Sequence, residues 1–366
     1  LAELQTNSAP IRVLIVAPSL DMVGGQAVQA ARLREKFSRE PEIEVGFVPI
    51  NPRLPGPLRL LQKIKYVRTA ATSLAYRRLL RREIPRYDII HIFSASYASF
   101  VIAPTPALRI AKHFGKKTIL NYRSGQARDH LTKWPGAIKT IERFDRIVTP
   151  SKYLVDVFAE FDLKAQVVSN FVETEKYKFR ERAPLKPNFL SNRNFESHYN
   201  VACVLRAFAL IQKKYPDAKL TVAGDGPERE KLKTLAAELK LQNTEFLGLV
   251  AQDKMPELCD AADILLNSPS IDNMPNSLIE AYAAGLPIVS TNAGGIPYIV
   301  RHEETGLLVE SGDHEALARE AVRLLEDPVL AGKIIAAGKQ ESEKYTWAAV
   351  REDWLALYRE LASEDG

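Results

Sequence analysis

The sequence predicts an α/β protein of two domains, each a doubly wound and mostly parallel sheet. Three observations carry that expectation. Short apolar runs without polar alternation, most of them separated by helix-length segments, recur through both halves, and strands covered on both faces require such runs. At 366 residues the chain is too long for one ordinary core and comfortable for two. Between Val167 and Pro187 the pattern loosens into VVSNFVETEKYKFRERAPLKP, charged and proline-containing as a linker is.

Taken in order, IRVLIVAP (11–18) reads as the first buried strand and Gln26 to Phe37 as the helix after it. IEVGFVPI (43–50), DIIHIFSA (88–95), KTILNYR (117–123) and RIVTPS (146–151) are the further strands of the first half. Beyond the linker, NFLSN (188–192) and AKLTVAGD (218–225) flank a helix at Ala202 to Lys214. TEFLGL (244–249), ADILLNSP (262–269), LPIVSTN (286–292) and GLLVES (306–311) follow as strands with short helices between. A last helix sets Trp347, Val350, Trp354, Leu357, Tyr358 and Leu361 on one face, so it should dock on something. The domains are expected at 1–175 and 176–345, with this helix as 346–366. No internal repeat or low-complexity tract interrupts them.

Apolar and aromatic content are those of a globular protein. The net charge of +5 suits an anionic ligand or surface. Cys203 and Cys259 form neither a metal-ligand spacing nor a disulfide framework and read as small buried residues in a reducing compartment. The opening LAELQTNSAP lacks a basic leader region, and no run approaches the roughly 20 apolar residues of a spanning helix. A soluble, cytoplasmic protein able to touch a membrane from its inner face is expected. No nucleic-acid module occurs, so nucleic acid is not an expected partner.

Open α/β sheets bind ligands at the carboxyl ends of their strands, and two such domains facing each other make a cleft. Three segments bring chemistry to those ends. Gly24 and Gly25 lie between the first strand and its helix, where backbone can approach an anion and a helix start offers N–H groups; a tight turn explains them equally well. The G-x-G-x-x-G spacing of dinucleotide binding is absent. In SPSIDNMPNSLIEAYAAGLPIVSTNAGGIPYIV (268–300), Asn276 or Ser277 can cap a helix whose first turns carry Glu280. Glu280 can be a mere capping-box partner, or a carboxylate that accepts both hydroxyls of a ribose. Pro275, Gly285-Leu286-Pro287 and Gly294-Gly295 favour the second reading by placing a helix start and a glycine loop at adjacent strand ends. Finally, Arg193 stands on a loop after the 188–192 strand, where its fork suits phosphate oxygens; alone it would read as a solvated charge.

At these residues the chain resembles the retaining glycosyltransferases of family 4, glycosyl transferases group 1, over nearly its whole length and most strongly from Val167 to Asp327. VGGQ (23–26), SNF (169–171), AGDGPERE (223–230), FLG (246–248), PSIDNMPNSLIEAYAAGLPIVST (269–291) and NAGGIPYIV (292–300) fall in that family's order and spacing. The resemblance implies the GT-B fold, two facing Rossmann-like domains with a C-terminal helix crossing back to the first. It implies that Glu280 binds the nucleotide ribose and that Asp272, eight positions earlier, lies near the donor sugar. Arg193 then holds the diphosphate, with Gly24, Gly25 and the amides around Asn276, Ser277 and Leu278 as its cradle, while Leu247 meets the base through backbone. Three departures stand out. Asp272 replaces the usual glutamate and is one methylene shorter. R-N-F-E-x-x-Y-N replaces the usual R…E-K-G, so a lysine is missing, with Tyr199 and Asn200 in that stretch. Phe93 stands where many members have a second histidine beyond His91, itself as fitting for a core as for catalysis.

The implied reaction is transfer of a sugar from a UDP-, GDP- or ADP-sugar to an acceptor hydroxyl, metal-independent, without a resident cofactor, by front-face displacement with retention. Fixed positive potential at the departing diphosphate is the main service such a site supplies. Arg123, at the end of its strand, is a candidate for the missing cation or for an acceptor contact. Residues 53 to 86 hold ten arginines and lysines against Glu83 alone, interleaved with apolar residues, as in a basic amphipathic helix on an anionic membrane. The acceptor is therefore expected to be a lipid-linked or cell-envelope glycan. A GT-B epimerase and a nucleotide-sugar-binding protein without turnover are the competing readings.

Overall fold

A computed structural model describes residues 9–21, 24–64 and 67–364; Val23 of the VGGQ motif and Lys65 and Tyr66 of the basic segment lie outside them. The chain divides into two compact units. One takes the described chain up to Pro150, Leu154–Val168 and the stretch from Arg351 onward; the other takes Ser151–Tyr153 and Ser169–Val350.

The first unit holds β1 (Ile11–Ala17), β2 (Ile43–Pro49), β3 (Ile89–Ser94), β4 (Lys117–Tyr122), β5 (Arg146–Thr149) and β6 (Gln166–Val167). They pair in the order β2-β1-β3-β4-β5-β6, every pair parallel. The strand β6 has no counterpart among the expected strands. It is two exposed residues on the sheet edge, so no apolar run marks it.

The second unit holds β7 (Asn188–Ser191), β8 (Lys219–Ala223), β9 (Thr244–Gly248), β10 (Ile264–Asn267), β11 (Ile288–Thr291) and β12 (Leu307–Val309). Their order is β12-β11-β10-β7-β8-β9, again all parallel. Phe189, Ile264, Leu266 and Val289 enter one core with the helix Val201–Lys214. Their strand neighbours Leu190, Leu265 and Ile288 enter another with the helix Asn276–Ala284. Both faces of the sheet are covered, which is why its strands read as unbroken apolar runs. Cys203 and Cys259 are buried and free, one in each of these two cores.

In each sheet the strand order reverses beside the first strand, between β1 and β3 and between β7 and β10. Such switch points open a crevice at the carboxyl edge.

The division between units falls at Val168 and Ser169, ahead of the 175/176 boundary expected from sequence. The reason is local bonding: Asn170 Nδ2 donates to Met274 O at 3.0 Å, and the Val172 amide to Tyr345 O at 2.8 Å. The last helix, Trp347–Ser363, starts with the second unit, its Trp347 ring 5.0 Å from Phe171. From Arg351 it belongs to the first, where Trp354, Leu355, Leu357, Tyr358 and Leu361 are buried and Arg351 donates to Glu40 at 2.6 and 2.8 Å.

The basic segment is not one helix. A 3-10 stretch, Gly56–Lys63, precedes a separate helix, Val67–Glu83, which is anchored by buried Tyr76 and Leu80. Pro55, Gly56 and Pro57 at its start disfavour a continuous α-helix. Among the described residues no helix is long and apolar enough to cross a membrane.

Candidate functional site

The switch point of the second sheet collects the residues the motifs singled out. β7 ends at Ser191 and hands the chain to Asn192 and Arg193; β10 ends at Asn267, and Asp272 follows on its loop. Arg193 Nη2 donates to the Asp272 carboxylate, and Nη1 donates to Ser277 Oγ at 3.3 Å. The guanidinium lies 4.0 Å from the centroid of the Tyr199 ring. Despite its short side chain, then, Asp272 reaches the arginine. The ring of Tyr199 supplies a platform in the stretch that lacks the family lysine, a contact that orients a cation without adding charge.

Backbone packing sets this geometry. A Cβ on Gly224 would collide with the Arg193 carbonyl, and one on Gly226 with that of Phe195, so the β8 loop seats the arginine loop directly. Gly294 and Gly295 press in the same way on the backbone of Asp272 and Asn273, and the Gly295 amide donates to Asp272 O at 2.9 Å. These glycines support the Asp272 loop by close backbone approach.

The same edge carries polar atoms with nothing to bond. Ser191 Oγ, Asn192 Oδ1, Arg193 Nε and Asn267 Oδ1 are four of the seven buried side-chain atoms without a partner among the described residues. Buried polar groups are nearly always paired, so a cluster of exceptions at a strand-end crevice fits a polar ligand.

The helix Asn276–Ala284 begins here. Its N-cap is Pro275, with no side-chain cap, so neither Asn276 nor Ser277 performs the expected capping. Asn276 Oδ1 instead accepts from Asn170 Nδ2 at 3.0 Å. The Leu278 amide, expected in a phosphate cradle, donates to Pro275 O at 3.2 Å and is already engaged. Glu280 is buried on this helix and accepts from Gln252 Nε2 at 2.8 Å. It is not the partner of a cap. Leu247, 36% exposed, is the last residue but one of β9, at the same edge of the sheet.

In the first unit, Gly24 precedes the helix Gly25–Phe37 with φ 153°, a conformation that L side chains rarely adopt, and that helix start has no side-chain cap. His91 requires a correction: it is fully buried on β3 and both ring nitrogens are bonded within the protein. Arg123 Nη1 donates to Asn121 Oδ1 at 3.3 Å, which turns Asn121 Nδ2 toward His91 Nε2 at 3.0 Å. Nε2 is thus the acceptor, Nδ1 carries the hydrogen, and Tyr358 Oη receives it at 2.8 Å. Burial, and secondarily the Arg123 charge, push His91 down to about 3. It is a neutral core histidine, out of reach of a substrate. Arg123 itself is half-buried, 5.2 Å from the Phe93 ring; burial lowers it to about 9, so it stays a cation at neutral pH.

Sequence patterns did not single out Gln252 or the part-buried pairing of Arg193 with Asp272, whose partners lie 28 and 79 positions apart. Surface grooves along the helix Val201–Lys214 border none of the expected residues, and one of them is lined largely by charged side chains such as Lys214 and Glu326.

Known families match both halves of the chain. The Glycosyltransferase Family 4 model matches residues 10–176, and the Glycosyl transferases group 1 model matches 173–341. N-acetyl-alpha-D-glucosaminyl L-malate synthase of Bacillus anthracis is 32% identical over 202 residues, 52% of each chain. The lipopolysaccharide core biosynthesis glycosyltransferase LpsE of Rhizobium meliloti is 27% identical over 60% of this chain and 65% of its own. The matched region thus spans about half to two thirds of these relatives. In fold, HepE of Anabaena, solved in complex with UDP and glucose, superposes with a TM-score of 0.74 at 17% identity, covering 96% of this chain and all of its own. Matched along both halves and sharing the fold of GT-B glycosyltransferases, the chain belongs to glycosyltransferase family 4.

Proposed function

We propose that the protein is a hexosyltransferase-type glycosyltransferase of EC class 2.4. It moves a sugar from a UDP-, GDP- or ADP-sugar to an acceptor hydroxyl, with retention of anomeric configuration. The observation that carries this reading is the meeting of Arg193, Asp272 and Ser277 at a switch point rich in unpaired buried polar atoms. Departure of a diphosphate builds negative charge on its oxygens. The arginine N–H groups not used by Asp272 and Ser277 are held rigid by those partners and by the Tyr199 ring, and donors fixed in advance stabilise such charge best. Glu280 takes the ribose hydroxyls, Leu247 lies by the base, and Asp272 stays beside the sugar. The reaction is proposed to need no metal.

One observation favours the reading without turnover. Asp272 already neutralises Arg193, and no lysine follows to restore the net positive charge. The test is incubation of the purified chain with each nucleotide sugar, with and without envelope lipid extract, in the presence and absence of a chelator. Label joined to an acceptor, unchanged by the chelator and lost by roughly 100-fold or more in Arg193→Ala, is the expected result. Isomerised donor would establish the epimerase, and tight donor binding with neither product would establish the binding protein.

The proposed acceptor is a lipid-linked or cell-envelope glycan reached at an anionic membrane surface. Support comes from the relative that acts in lipopolysaccharide core biosynthesis and from the exposed character of the basic segment. Leu58, Leu60, Ile64 and Leu74 are each more than half exposed there. Leu74 shares a helix face with Arg77, Arg78 and Arg81.

A further inference from the structure

Gln252 opens a 3-10 turn, Gln252–Lys254, on the loop that leaves β9 at Gly248, and its side chain is exposed. From that position its Nε2 reaches the buried Glu280 carboxylate at 2.8 Å. Two exposed leucines, Leu247 and Leu249, stand on the same stretch of chain. One short segment therefore combines an apolar surface suited to the face of a base with an amide donor to the carboxylate proposed to bind ribose. A carboxylate has about four acceptor positions, and the Gln252 amide takes one of them. An amide orients the carboxylate without cancelling its charge, as a lysine or arginine in its place would.

We infer that Gln252 is a positioning residue for nucleoside recognition: its amide holds Glu280 in the orientation that receives the 2′- and 3′-hydroxyls of the donor ribose. This rests on the reading of Glu280 as the ribose acceptor. The consequence is selectivity. A carboxylate fixed in place discriminates a ribose from a 2′-deoxyribose, whereas one free to turn loses much of that difference.

The test is calorimetric binding of the nucleoside diphosphate (UDP, GDP or ADP) that most raises the melting temperature, alongside its 2′-deoxy analogue. Gln252→Ala should weaken the ribonucleotide about tenfold and the deoxynucleotide little. Gln252→Glu supplies a signature that a purely structural loop residue would not. At pH 7.5 two carboxylates face each other and binding falls; toward pH 5 a shared proton restores a donor, and affinity should recover in this variant alone. If Gln252→Ala leaves both affinities intact while Glu280→Gln abolishes the ribose preference, the inference fails and the ribose reading survives. If Glu280→Gln changes nothing, or none of the three diphosphates binds, both fall together.

Discussion

The pair of Arg193 and Asp272 sets the electrostatics of the site, because each cancels much of the other's charge in a nearly enclosed position. Replacing Asp272 by Asn removes a negative charge beside the proposed diphosphate while keeping an acceptor for the arginine. Nucleoside diphosphate should then bind several-fold more tightly while turnover falls, since the carboxylate beside the sugar is gone. Weaker diphosphate binding in Asp272→Asn would contradict the placement of that charge. Neither effect was legible in the motif, where the two residues are far apart in sequence and nothing indicates that they neutralise each other. His91 offers a test of a different kind. Its folded pKa of about 3 lies below the roughly 6.5 of an unfolded chain, so below pH 6.5 the unfolded state binds the proton and the native state does not. Stability is intact above the unfolded value and lost as pH falls, by about 2 kcal/mol at pH 5. His130 and His198, both lowered by burial, act in the same direction. Urea titrations at pH 7.5 and 5 should therefore show a shallower pH dependence for His91→Gln than for the native chain. Equal slopes would mean that this histidine does not stay neutral on folding.

Among elements, the central strands were readable because both faces of each sheet are covered, and unbroken runs such as ILLN follow directly from that burial. The segment read as a linker was legible only in part. ERAP looks solvated, yet Arg182 is buried and works as a bracket. Its Nε donates to Ala262 O at 2.9 Å and its Nη2 to Cys259 O at 2.6 Å, at the end of the helix Met255–Ala261. Its Nη1 donates to Ala284 O, the last residue of the helix whose other end meets the site. Helix ends leave carbonyls without partners, and a cation there also complements the dipole. Local sequence could not reveal this, because the carbonyls lie 77 to 102 positions away. Arg182→Ala strips these bonds in the interior and should cost roughly 3–5 kcal/mol in a denaturant titration. Arg182→Lys should recover little, lacking the planar fork. A loss below about 1 kcal/mol in the alanine variant would show the carbonyls finding other partners.

At the level of the whole molecule, the formal charge of +5 is unevenly spread, and the basic segment carries the excess. Arg59, Arg68, Arg77, Arg78 and Arg81 have no ion-pair partner among the described residues, whereas Arg53 pairs with Asp21 and both Arg82 and Arg86 with Glu83. Each unpaired cation near an anionic bilayer contributes about 1 kcal/mol, and the contribution falls off within a Debye length. The exposed leucines of the 3-10 stretch add apolar area that charge alone does not explain, since a solvated basic face has no use for Leu58 and Leu60 at 52% and 60% exposure. The two terms separate experimentally. Flotation with vesicles containing phosphatidylserine should recover the protein, neutral vesicles should recover far less, and salt should reverse the binding. Reversing charge at Arg77, Arg78 and Arg81 together should abolish recovery, while Leu58→Ser with Leu60→Ser should weaken it and leave the salt dependence in place. Nucleotide-sugar affinity in solution should not change in either variant, because every residue proposed to grip the donor in the second unit lies elsewhere in the fold. Equal recovery with neutral and anionic vesicles would leave the basic segment as a solvated face, and the acceptor would then have to be sought among soluble glycans.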